Sequence, residues 1–326
     1  MRIDFQKRLD DWRKLIDQEL SQHPFQASAA YLDEPCSYAL NAQGKRLRPA
    51  LCLASAEAVS GDWESAVPAA LALEVFHTST LVHDDIMDQD DLRRGQPTVH
   101  KTFDVNRALI AGDAILIHSY DHLNRIDRTY LPRALRMFNE AALDVCRGQA
   151  WDMQFEAQGD VTLADYQRMI DQKTGALLRL SGGLGALVVG ATQDQIDHLM
   201  EFGLLIGRAF QLQDDLLEVT SNAGVMGKSL GSDLVNEKKT WLWLDLQEQL
   251  DEAGRREWAR LLAAPGSLEE KRDIIRGWMS NHGTLQRASE QVNTWIHEAE
   301  QRIRAADLVK PEMLQALADL ILNRRH

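Results

Sequence analysis

The chain has 326 residues, and 36 Lys plus Arg stand against 49 Asp plus Glu, for a formal net charge of −13. Apolar residues at 44% and charged residues at 26% are a globular mixture, which excludes a wholly disordered chain. The acidic balance argues against a nucleic-acid binder, which needs a basic stripe, and against adsorption to an anionic membrane.

Helical spacing runs through the chain. Phe5, Leu9, Trp12, Ile16 and Leu20 form one apolar stripe on an otherwise polar helix. The second predicted helix starts after Arg48-Pro49, because proline suits a first turn, and ends near Ser60-Gly61-Asp62. The third runs from about Pro68 to Asp88. Others are expected at Asp104–Ile126, Leu131–Ala157, Leu163–Val189, Gln193–Val219, Asn236–Leu250, Leu268–His282, Thr284–Ala305 and Pro311–Asn323. Asp91–Thr98, Ser221–Asp233 and Ala264–Ser267 read as loops. Pro68–Val82 and Leu177–Val189 are apolar on more than one face, as buried core helices are. The expected architecture is a single all-α bundle over residues 1–326, against the two domains suggested by length.

Cys36, Cys52 and Cys146 have no local pairing and read as free thiols in a reducing compartment. The first twenty residues lack an apolar signal core. With no run of about 18 apolar residues, no membrane span is expected. The reading is a soluble cytoplasmic protein.

The densest chemical signal is Leu81-Val82-His83-Asp84-Asp85-Ile86-Met87-Asp88. On a helix, Asp84 and Asp88 lie one turn apart on one face, near a C-terminal end whose dipole is already negative. Without a cation this placement costs free energy. Mg²⁺ takes one or two carboxylates plus phosphate oxygens. Asp214 and Glu218 repeat the pattern in Gln211-Leu212-Gln213-Asp214-Asp215-Leu216-Leu217-Glu218. Two such motifs on two apolar helices suggest facing metal platforms in a bundle core. Basic clusters accompany them: Lys45-Arg46-Leu47-Arg48, Arg93-Arg94, Lys173, Lys228 and Lys238-Lys239. Carboxylates for metal beside Arg and Lys describe a pyrophosphate site.

Gly44-Lys45-Arg46-Leu47-Arg48-Pro49, Asp84–Asp88 running into Asp91-Leu92-Arg93-Arg94-Gly95-Gln96-Pro97-Thr98, Lys173-Thr174-Gly175-Ala176, Phe210-Gln211-Leu212-Gln213-Asp214-Asp215, and Gly227-Lys228 with Gly231-Ser232-Asp233-Leu234 stand in this order. The ordered set resembles the trans-prenyl diphosphate synthases, those making geranylgeranyl diphosphate in particular, over nearly the whole chain. The resemblance implies an all-α isoprenoid-synthase fold with a central cavity, a homodimer, and Mg²⁺-dependent elongation of an allylic diphosphate by isopentenyl diphosphate, with three ions when substrate is bound. It implies Asp84, Asp88 and Asp214 as metal ligands, with Asp215 and Glu218 nearby. Arg93, Lys173 and Lys228 would hold the allylic diphosphate, assisted by Lys238. Lys45, Arg48, His77 and Arg94 would hold isopentenyl diphosphate. Thr174 and Gln211 would stabilise the developing carbocation, and Arg324-Arg325 would help close the site. Two departures stand out: Glu218 where many relatives have Asp, and Ser229 where proline is common.

The resemblance also frames product length. The growing chain would run along the helix before Asp84, where one turn rises about 5.4 Å, close to one isoprene unit. Short-chain relatives place a bulky aromatic four or five positions before the motif, where this sequence has Thr80 and Ser79. Phe76, one turn deeper, would be the floor, and products of twenty to twenty-five carbons are expected. A longer product follows if Phe76 turns aside, or if Tyr120 and His118 leave the tunnel open. A class I terpene cyclase and a non-catalytic partner subunit are the rival readings. The first usually carries a different second metal motif, and the second typically loses an Asp-rich motif.

Overall fold

The computed structural model describes residues 5–25, 29–220, 238–264 and 266–322. The helices, in chain order, are α1 (Phe5–Leu20), α2 (Ala30–Leu40), α3 (Leu47–Ser60), α4 (Val67–Met87), α5 (Val99–Thr102), α6 (Val105–Leu123), α7 (Leu131–Ala157), α8 (Leu163–Ile170), α9 (Ala176–Leu187), α10 (Gln193–Thr220), α11 (Trp241–Gln249), α12 (Glu252–Ala263), α13 (Leu268–Asn281), α14 (Thr284–Ala305) and α15 (Glu312–Leu322). The sheet among the described residues is one hairpin, β1 (Leu92–Arg93) with β2 (Gln96–Pro97). The expected all-α bundle is therefore observed.

Helices α3, α4, α9 and α10 form its centre, with α6 and α14 packed on the outside of α4 and α10. In α4, every residue from Ala69 to Phe76 is buried, because alternating Ala and Leu lets neighbours approach on all sides. In α9, a Cβ at Gly185 would lie 2.0 Å from the Cys52 carbonyl oxygen, so α3 and α9 touch backbone to backbone. The window Glu64–Met87 is long and apolar enough to cross a membrane by length and composition, against the sequence expectation. Of its most apolar stretch, 67% is buried inside the bundle, as in the core helix of a packed protein.

Several expectations need correction. Helix α2 was not foreseen, because Pro35 lies inside it and proline removes a helix donor. It forms because Asp33 accepts from the Ala29 amide at 3.0 Å and because Cys36, Ala39 and Leu40 are buried. Helix α12, also unforeseen, is capped by Asp251, whose carboxylate accepts from the Gly254 amide, and is anchored by buried Trp258. The helix expected over Leu163–Val189 is broken by a π-turn at Asp171–Gly175. The stretch Asp91–Thr98 is not plain loop but the hairpin, turned by Arg94 and Gly95 at φ 53° and 76°. The helix expected from Asn236 starts at Trp241, with Asn236 outside the described residues.

Far along α6 stands His118. Its ring packs against Phe25 at 5.6 Å and His122 at 4.9 Å. Burial first, then His118 and Arg125, bring His122 from the usual 6.5 down to about 4. The unfolded chain therefore binds a proton that the native state refuses between those values. Stability should fall by about 2–3 kcal/mol as pH drops from 6.5 to 4, beyond the general acid response of the carboxylates. Thermal unfolding of His122→Phe across this window should show a shallower decline than the wild type.

Candidate active site

The site lies where the C-terminal ends of α4 and α10 meet α7 and the π-turn. Helix α4 ends at Met87 with Asp88 as its cap, so Asp84 and Asp88 occupy its last turn, as their spacing predicts. Burial pushes the Asp84 carboxyl above its ordinary range, and Asp88 adds to this, while Lys173 and Arg93 act against it. Asp85 points away and pairs with Arg93 Nε at 2.5 Å. Arg93 also lies 3.6 Å from Asp90.

Asp152 on α7 organises the opposite wall. It is buried, accepts from Lys173 Nζ at 2.5 Å and lies 3.7 Å from Lys238 Nζ. Burial works to raise its carboxyl, but the two lysines outweigh that and hold it below the usual range. The approach depends on Gly148, where a Cβ would sit 2.2 Å from the Lys173 amide nitrogen. Helix α7 and the π-turn thus pack backbone against backbone, and the wider turn sets Lys173 and Thr174 facing α7 and α10. Thr174 donates to Gln211 Oε1 at 3.2 Å, and Gln211 Nε2 donates to Asp215 Oδ1 at 3.0 Å. Buried Tyr166 donates to Asp215 Oδ2 at 2.9 Å. Burial raises the Asp215 carboxyl to about 6, while Gln211 and Tyr166 oppose the rise. Both Asp215 oxygens are thereby engaged, which separates Asp215 from Asp214 and Glu218 on the same helix end.

A second cationic group lies behind α4. Arg48 Nη1 donates to His77 Nε2 at 3.0 Å. Burial first, then Arg48, Arg94, Arg93 and Arg46, hold His77 far below its usual value, so its ring is neutral at pH 7. Burial brings Arg48 down to about 10, still charged at neutral pH. Its Nε has no hydrogen-bond partner among the described residues, and none of their carboxylates lies within ion-pair distance of it. Arg48 is thus a half-buried guanidinium whose described hydrogen-bond partner is a neutral imidazole, with Glu74 and Asp84 attracting it from beyond ion-pair distance. Arg94 adjoins it and donates to the Gln43 carbonyl at 2.5 Å. Arg46, by contrast, is structural. It is buried, bridges Asp17 at 2.7 Å and Glu74 at 2.6 Å, and fixes the segment before α3. Lys45 is exposed and lines a cleft with Phe210, Leu317 and Ile321.

Of the residues singled out from sequence, Asp84, Lys173, Thr174, Gln211 and Lys238 converge through Asp152 and Asp215, with Asp88 and Asp214 on the same helix ends. Arg48, His77 and Arg94 converge behind them. Lys228, Ser229, the Gly231–Leu234 stretch, Arg324 and Arg325 lie outside the described residues. Asp152, Gly148 and Tyr166 were missed. A signal existed for the first two: Phe138, Ala141, Val145, Gly148, Asp152 and Phe155 form one helical stripe, and a carboxylate on such a stripe needs a partner. Down the helix from Asp84, buried Phe76 packs on Phe138 with centroids 5.1 Å apart, and Phe138 packs on Tyr120 at 5.3 Å. Ser79 and Thr80 bond back to the carbonyls of Phe76 and His77.

The carboxylate oxygens of Asp84, Asp88 and Asp214 suit a hard divalent cation. Among the described residues no group of three or more metal-ligating side chains is close enough to hold an ion unaided.

Comparison with known proteins identifies the family. The polyprenyl synthetase family model matches residues 29–276. The chain is 34% identical over 295 residues to the geranylgeranyl diphosphate synthase of Methanosarcina mazei, covering 89% of this chain and 88% of that protein. It is 35% identical over 295 residues to the geranylfarnesyl diphosphate synthase of Aeropyrum pernix, covering 87% and 92%. The crystal structure of geranylgeranyl pyrophosphate synthetase from Pyrococcus horikoshii superposes with a TM-score of 0.91 at 32% identity, covering 98% of each chain. The chain belongs to the polyprenyl synthetase family.

Proposed function

We propose that this chain condenses isopentenyl diphosphate with an allylic diphosphate, stopping at a trans product of twenty to twenty-five carbons. The observation that carries the reading is the pairing of two anion sites. One is the Asp84–Lys173–Asp152–Lys238 array between two acidic helix ends. The other is the half-buried Arg48–His77 pair with Arg94. Two diphosphates need two such sites, and a cyclase needs one. Relatives named as geranylgeranyl and geranylfarnesyl diphosphate synthases support the product range.

Asp84, Asp88 and Asp214 would hold magnesium, three ions in the loaded site, which supplies positive charge for the leaving diphosphate. Arg93 and Lys173, released from Asp85 and Asp152, clamp the allylic diphosphate, with Lys228 and Lys238 assisting. Arg48, His77, Arg94 and Lys45 hold isopentenyl diphosphate. Thr174 and Gln211 face the allylic carbocation, from which water must be kept during the reaction. The alkene attacks the cation, and the proton leaves to the diphosphate. Exposed Leu109, Ile110 and Ile117 on α6 and Leu143 on α7 support a homodimer. Free cysteines support a cytoplasmic setting, and residues 1–326 are read as one domain.

Product sizing tests the reading: purified protein receives isopentenyl diphosphate, Mg²⁺ and each allylic starter in turn, and dephosphorylated products are weighed by mass spectrometry. A ladder ending at twenty or twenty-five carbons is expected, and one running far beyond overturns the length. Arg48→Gln should raise the KM for isopentenyl diphosphate about tenfold or more in the same assay, with the KM for the allylic partner little changed.

A further inference from the structure

Four side chains from three elements form a continuous hydrogen-bonded line into the site. Tyr166 on α8 donates to Asp215 at 2.9 Å, Gln211 donates to Asp215 at 3.0 Å, and Thr174 on the π-turn donates to Gln211 at 3.2 Å. Tyr166 and Asp215 are 6% and 8% exposed, so neither hydrogen bond is readily replaced by water.

The direction of every bond follows from donor and acceptor counting. A carboxylate only accepts, whereas an amide has one accepting end and one donating end. With both Asp215 oxygens taken by donors, Gln211 must turn its NH₂ toward Asp215 and its oxygen toward Thr174. The Thr174 hydroxyl then spends its one proton on Gln211. Its oxygen has lone pairs left and no hydrogen to present.

We propose that Tyr166 is a positioning residue which, through Asp215 and Gln211, fixes the Thr174 hydroxyl as a bare acceptor toward the allylic carbocation. This rests on the condensation proposed above and on Thr174 lying beside the reacting carbons. Without Tyr166 the Asp215 carboxylate loses one of its two fixed donors and can rotate. The Gln211 NH₂, which must keep facing the carboxylate, then follows it, and the Gln211 oxygen no longer holds the Thr174 proton in one direction. Tyr166 touches no substrate, and its effect should appear in turnover rather than in binding. The preorganised acceptor acts only as charge develops, so ground-state affinity is insensitive to it.

The test is a double-mutant cycle on steady-state condensation of isopentenyl diphosphate with farnesyl diphosphate at saturating Mg²⁺. Tyr166→Phe keeps the ring and removes the donor. It should lower kcat about tenfold while both KM values stay within about twofold. Thr174→Val should lower kcat comparably, and Tyr166→Phe added to it should cost nothing further, because the acceptor it aims is gone. Thr174→Ser, which keeps the hydroxyl, should restore both the rate and the sensitivity to Tyr166→Phe. Asp215→Asn is nearly isosteric and replaces one acceptor with a donor. It should reduce kcat at least as much as Tyr166→Phe, which keeps the test open should that variant fold poorly. Melting temperatures are read for every variant. An unchanged kcat in Tyr166→Phe, multiplicative losses in the double mutant, or losses that track melting temperature overturn the relay alone. Wild-type protein that fails to condense the two substrates overturns the proposed function and the relay together.

Discussion

Asp84→Asn is expected to cut the rate of condensation roughly a thousandfold, about 4 kcal/mol of transition-state stabilisation, with the fold intact. Asp84 is the member of its motif that faces Lys173 and Asp152, and burial already disfavours its charge in the absence of a cation. Asparagine keeps the shape and removes the ligand. The neighbouring Asp85→Asn is the internal comparison. Asp85 is buried against Arg93 rather than turned toward α7. Its loss should free Arg93 and lower the rate only about tenfold, mainly through the allylic diphosphate. Rates at rising Mg²⁺ separate the two: extra Mg²⁺ should recover part of the Asp84→Asn activity and little of the Asp85→Asn loss.

Phe76→Ala is expected to lengthen the product by one or more isoprene units. Phe76 stands two helical turns before Asp84, and Ser79 and Thr80 between them are small. Its ring leans on Phe138, which in turn leans on Tyr120, whose hydroxyl donates to Asn139 at 2.6 Å. In the proposed reading the floor is therefore a braced aromatic stack rather than one movable ring. Removing its first member opens space that a growing chain can enter. The same truncation should destabilise the protein by about 3 kcal/mol, since a buried phenyl ring is lost. Mass spectrometry of the products reads the first effect and thermal unfolding the second. A product of unchanged length, with the protein folded, would place the floor elsewhere.

Much of the bundle was legible because the chain repeats a 3.6-residue apolar period over long stretches. The Ala-rich α4 and Gly-rich α9 announced themselves as core by being apolar on several faces. Helix α2 was hidden by Pro35, and α12 by its high charge and Gly254. The hairpin has two residues per strand, too few for alternation to show. The π-turn was invisible because its sequence, Asp171-Gln172-Lys173-Thr174-Gly175, continues a helical stretch, and the widening comes from packing on Gly148. Within the site, Asp84, Asp88, Lys173 and Gln211 could be picked out because their spacing or motif carried the information. Asp152 was legible only as a carboxylate on an apolar stripe that needs some partner, and Tyr166 not at all, because their partners stand 21 and 49 residues away.

Release of pyrophosphate on mixing the purified chain with isopentenyl diphosphate and farnesyl diphosphate, with Mg²⁺ or with chelator, tests the pairing of two anion sites most directly. One pyrophosphate should be released per isopentenyl diphosphate consumed, with Mg²⁺ only, and none from farnesyl diphosphate alone beyond slow hydrolysis. Rapid release from an allylic diphosphate alone, with hydrocarbon as product and isopentenyl diphosphate untouched, would contradict that pairing and make the Arg48–His77 pair irrelevant to the chemistry.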